Sequence, residues 1–114
     1  MRRSRGRWPQ MSERDVPPKR VVIGPFSYQV VVDADRLPAD LYGQCDKGKH
    51  VIALHPDQSA PRLRATLVHE LLHALCDLTG LDDDKAEERL VTVLAPALLA
   101  VLRDNPRLVA WLAE

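Results

Sequence analysis

The stretch Val68-His69-Glu70-Leu71-Leu72-His73 holds two imidazoles four residues apart, with a carboxylate beside the first. On a helix, positions four apart sit on adjacent turns of one face, so both rings can reach a single ion. Neutral imidazoles are the donors that zinc takes, and with a third protein ligand the fourth position stays open to water. His69 and His73 are therefore candidate zinc ligands. Glu70 stands beside that ion and is not a ligand. It is placed to take a proton from the bound water and return it to a leaving amine, which is the chemistry of peptide-bond hydrolysis. An ordinary amphipathic helix with two incidental histidines would fit the same letters, but helical phase argues against it. At about 100° per residue, His73 and Glu70 fall about 40° and 100° from His69, while Leu63, Leu67, Leu71, Leu75 and Leu78 occupy the other side. The histidines share a polar face.

The third ligand must come from elsewhere. The metzincin pattern would require glycine at 76 and histidine at 79, and the chain has Cys76 and Thr79. A glutamate from a following helix is the other solution, as in thermolysin-like sites, and Glu87 and Glu88 are the candidates. The apolar face of that helix runs through Leu90, Val91, Leu94, Leu98 and Val101, with Glu87 at its centre and Glu88 on its margin. A carboxylate on a buried face is costly unless paired or metal-bound, which favours Glu87, with Glu88 second. Cys76 is soft enough for zinc but lies on the same helix, where a small buried hydrophobe is the plainer reading. His50 and His55 are read as exposed strand-end histidines that could also meet substrate. Asp77 could hydrogen-bond a ligand imidazole.

These residues need elements to hold them. Val21–Ile23 and Tyr28–Val32 read as strands broken by Gly24-Pro25. Leu41–Cys45 and His50–Leu54 read as the arms of a hairpin, the second with one mixed face, as befits an edge strand. A helix follows, with Ser59 as N-cap, Pro61 in the first turn and Gly80 as its stop. A second helix should run from Asp83 or Asp84 to about Arg103, kinked at Pro96. Asn105-Pro106 would cap a short last helix, Arg107–Ala113.

Taken together, "YGQCDKGKHVIALHPDQSAPRLRATLVHELLHALCDLTGL" and the later "AEERLVTVLAPALLAVLRDNP" resemble small phage and prophage metallopeptidases of the ImmA/IrrE-like or SprT-like group, over roughly residues 20–113. The resemblance implies an α+β, minimal zincin-like fold, with a small antiparallel or mixed sheet packed on the active-site helix and a second helix. It implies His69, His73 and Glu87 as zinc ligands, Glu70 as general base, and a peptide or protein substrate. The chain lacks the DNA-binding helix-turn-helix and sensor domain of larger members.

Composition narrows the class further. With 114 residues and 46% apolar content, the chain suits one domain, here residues 20–114. Residues 1–20 carry seven basic side chains against Glu13 and Asp15, and the remainder is net acidic. Residues 1–19 are read as a disordered basic tail, with nucleic-acid binding disfavoured, and Met11 as an alternative start. No apolar h-region and no bilayer-length apolar run are seen, and the two cysteines do not form a disulfide framework. The expected compartment is the cytoplasm of a bacterial host. The rival to an enzyme is a catalytically silent, zinc-stabilised interaction module.

Overall fold

The computed structural model describes residues 16–114 apart from Asp82. Most of the basic tail, including Met11, lies outside the described residues. The chain forms a four-stranded mixed sheet and three α-helices, an α+β fold. Strands β1 (Arg20–Ile23), β2 (Phe26–Val32), β3 (Gly43–Asp46) and β4 (Val51–Leu54) precede helices α1 (Ala60–Thr79), α2 (Asp84–Asp104) and α3 (Pro106–Leu112). None of these helices is long and apolar enough to cross a membrane.

The strand order is β1-β2-β4-β3. β1 and β3 pair antiparallel with β2 and β4, and β4 runs parallel to β2 with Val30 opposite Ile52. β4 is therefore an inner strand, and the expectation that His50–Leu54 forms an edge is overturned. The reading included His50, which lies before the strand with a φ of 56°. The strand proper, Val51-Ile52-Ala53-Leu54, is wholly apolar and its last three residues are buried. That is the pattern of an inner strand flanked by β2 and β3. The open edge nearest α1 is β3.

Helix α1 begins and ends as its sequence dictates. The Ser59 hydroxyl accepts from the Arg62 N–H, and Gly80 adopts a left-handed φ of 81° that closes the last turn. Asp83 then caps α2 by accepting from the Lys85 and Ala86 N–H groups. Asn105 precedes α3, but its side chain donates back to the Val101 carbonyl, so it caps the end of α2 and not the start of α3. α2 continues through Pro96 as one element.

α1 is the middle layer. One side packs on the sheet through Leu63 and Ala74 against Ile23, Tyr28, Val30, Ile52 and Leu54. Another side packs on α2 through Leu72 and Cys76 against Val91 and Ala95. Serving two partners requires a wide apolar arc, which explains why leucines cover half of the helix. The arc left between the two contacts carries Thr66, His69, Glu70 and His73. The buried stripe of α2 is Glu87, Val91 and Ala95, whereas Leu90, Leu94 and Val101 are exposed. The buried stripe thus keeps Glu87 but is shifted from Leu90 and Leu94 toward Val91 and Ala95, since small Ala95 and branched Val91 fit the close approach to Leu72 and Cys76.

Candidate metal centre

The polar arc of α1 opens into a groove of about 470 Å³, bounded by Tyr42 and Gly43 of the β3 segment and by Thr92, Ala95 and Pro96 of α2. Local helix geometry sets His69 and His73 on adjacent turns, with ring centroids 5.0 Å apart. The Asp83-capped start of α2 brings two successive glutamates to these rings. Glu87 Oε2 lies 2.6 Å from His73 Nδ1, and Glu88 Oε1 lies 3.3 Å from His73 Nε2. Glu88 Oε2 also stands 3.8 Å from His69 Nε2.

His69, His73 and Glu88 each offer one ligand atom, and these atoms lie within 4.8 Å of one another. Glu87 does not join this group. The preference for Glu87 over Glu88 as third ligand is thus not what the geometry brings together. Glu87 is buried as its helical phase requires, but its charge is met by His73 and by Lys47, whose Nζ lies 2.9 Å from the same Oε2. A paired carboxylate on a buried face needs no metal. Glu88, on the margin of that face, keeps most of its side chain exposed and reaches toward the two Nε2 atoms.

Burial and charge tune these groups. Burial pushes the Glu70 carboxyl up to about 7, with His73 opposing and Glu88 adding to the shift. Burial, then the neighbouring His73, lowers the pKa of His69 and favours the neutral form that binds metal. Burial works to raise the pKa of Glu87, but hydrogen bonds from His73 and Lys47 together with the Lys47 charge hold it below the usual carboxylate range.

The remaining candidates lie away from the cluster. Cys76 is buried in the α1–α2 contact and burial raises its pKa, so it is a small apolar filler. Burial pushes the Cys45 thiol up to about 12. The His50 ring packs on Phe26 and Tyr28, with centroids 4.6 and 5.0 Å away. His55 Nδ1 accepts from the Asp57 N–H. Asp77 is exposed, and the carboxylate that meets the His73 imidazole is Glu87 instead. Sequence reasoning missed Lys47, which lies between the two arms read as a hairpin. The one hint was a buried glutamate that had to find a cation somewhere.

Gly43 is required by close approach. A Cβ there would stand 2.5 Å from Thr66 Cγ2 and 3.3 Å from Glu70 Cγ and Oε2. Strand β3 therefore lies directly against the residue expected to act as base. Gly43→Ala is expected to cost about 1–3 kcal/mol through overpacking. Thr66→Ser deletes the clashing methyl but keeps the hydroxyl that donates to Gln58, and in the double variant it should recover most of that loss in urea unfolding. Additive losses would show that the two side chains do not meet.

Comparison with known protein families, with curated proteins and with solved structures finds no match to this chain.

Proposed function

We propose that the chain is a small zinc-dependent hydrolase of peptide bonds, a zincin-like metallopeptidase, with His69, His73 and Glu88 as metal ligands and Glu70 as general base. The observation that carries this reading is the convergence of three ligand atoms within 4.8 Å of one another, next to the groove that His69 and Glu70 line. The donor set fits the ion. Two ligands of one tetrahedral zinc, each about 2.1 Å from it, stand about 3.4 Å apart, close to the 3.3 Å between His73 Nε2 and Glu88 Oε1. Three nitrogen and oxygen donors leave a coordination position for water, as catalytic zinc sites do. When bound, zinc would acidify that water and polarise a carbonyl.

The chain's own residues supply the rest. Glu70, with a pKa near neutrality, can accept a proton and give it back at working pH. The open edge of β3 suits an extended peptide. Tyr42 accepts from His55 on the β4 side, so antiparallel alternation turns the N–H and C=O of Gly43 outward, beside Glu70. The free thiols Cys45 and Cys76 suit a reducing cytoplasm, and the resemblance to phage and prophage peptidases supports the same assignment. A second reading, a zinc-stabilised module that hydrolyses nothing, draws on the burial of Glu70, which is only 7% exposed.

Protein purified without chelators or a histidine tag should contain about one zinc per chain by elemental mass spectrometry. It should cleave a fluorogenic peptide library in a reaction that chelation stops and added zinc restores. Failure to hold zinc after it is added back would overturn the metal reading. Stoichiometric zinc without any cleavage would favour the silent module.

A further inference from the structure

The two nitrogens of His73 are divided between successive glutamates of α2. Nε2 faces Glu88, while Nδ1 faces Glu87 at 2.6 Å. The same Glu87 oxygen accepts from Lys47 Nζ at 2.9 Å. Lys47 belongs to neither helix. It is the first residue of the loop between β3 and β4, and that loop is held by the Asp46 carboxylate accepting from the Lys49 N–H at 3.0 Å. Three elements distant in sequence thus meet on one oxygen, 7% exposed at its side chain.

We propose that Lys47 is a positioning residue that acts through Glu87 to hold His73 in the Nδ1–H tautomer, leaving Nε2 directed at the ligand group, and so ties the β3–β4 hairpin to the metal centre. An ionised carboxylate only accepts hydrogen bonds, so the proton between His73 and Glu87 belongs to Nδ1, and in a neutral ring that leaves the lone pair on Nε2. The ammonium makes this arrangement stable. A buried carboxylate left with one neutral partner is costly, and it would relieve that cost by swinging out of the α1–α2 contact and releasing Nδ1. Because Lys47 sits at the end of β3, whatever orders that strand also orders the ring. Strand and ion then favour one another, since coupling between two sites is reciprocal. The tautomer part of this inference stands on the chain alone, while the metal part rests on the zinc reading above.

The test begins with metal-free, ¹⁵N-labelled protein at a pH where the histidines are neutral. Long-range ¹H–¹⁵N correlation should show His73 protonated at Nδ1 in the wild type. Lys47→Met should give a mixture of tautomers, and Lys47→Arg, which keeps the cation, should restore the wild-type pattern. Zinc affinity, read by competition with a chromophoric chelator, should fall roughly tenfold to a hundredfold in Lys47→Met. It should not change in Lys49→Met, which removes an exposed charge from the same loop. If Lys47→Met does not fold, Lys47→Gln carries the same comparison, because it keeps a donor without the charge. An unchanged tautomer with zinc affinity equal to wild type would overturn the proposal. A wild type that binds no zinc, yet shows a Lys47-dependent tautomer, would remove the metal reading and leave the positioning role standing.

Discussion

Replacing His73 by alanine is expected to lower zinc affinity by roughly 10²–10³-fold, and Glu88→Ala should do nearly the same. Structural zinc sites with four ligands reach roughly 10–16 kcal/mol, or about 2.5–4 kcal/mol per ligand, and each 1.4 kcal/mol is about tenfold. Glu87→Ala should cost less, roughly 10–100-fold, if Glu87 orients a ligand, as proposed, and is not one. The order of the two glutamate variants is the informative result. Glu88 has its oxygens 3.3 and 3.8 Å from the two Nε2 atoms, while Glu87 is occupied by Nδ1 and Lys47. Competition titrations on the three variants would read it directly. A larger loss from Glu87→Ala than from Glu88→Ala would return the third-ligand role to Glu87 and would mean that zinc rotates these side chains from the arrangement seen here.

The second large effect concerns Glu70, and it has opposite signs on activity and stability. Glu70→Gln keeps shape and removes the base, so cleavage should fall by roughly 10²–10⁴-fold while zinc stoichiometry is retained. In the metal-free protein the same change should stabilise the fold at alkaline pH. Burial raises the folded-state pKa of Glu70 from 4.5 to about 7, so the native state binds the proton more tightly than the unfolded chain. Stability from this group is then greatest below about pH 4.5, declines as pH rises between about 4.5 and 7, and stays reduced above that. Glutamine carries no such loss. The variant should exceed the wild type by about 2–3 kcal/mol at pH 8 and by little at pH 4.5, as read by urea unfolding in the presence of chelator. Equal pH profiles would show that Glu70 is better solvated than its 7% exposure indicates. A Glu70→Gln protein that cleaves as well as wild type would remove the base assignment.

Much of this molecule was legible because the signals are local. Ser59, Asp83 and Gly80 mark helix ends through hydrogen bonds and a backbone angle that involve only near neighbours. The pairing of His69 with His73 follows from helical repeat alone. The β3–β4 hairpin and the break at Gly24-Pro25 are also short-range features. Even the burial of Glu87 was readable, since its place among apolar positions of α2 required a partner.

What the chain order left open was decided by packing. Whether β4 lies inside the sheet or at its edge depends on the strand that comes to pair beside it, and the parallel β2 contact joins residues more than twenty positions apart. The turn of α2 about its own axis was set by Val91 and Ala95 fitting against Leu72 and Cys76, and a rotation of one residue would put Glu88 in the buried place that Glu87 holds. Lys47 reaches Glu87 across 40 residues, a separation at which no periodicity carries information. The grouping of His69, Glu70 and His73 is therefore a property of one helix. The third carboxylate, the lysine that holds its neighbour, and the strand that walls the groove exist only where three elements meet, because each depends on a contact that forms after the helices and hairpin have found one another.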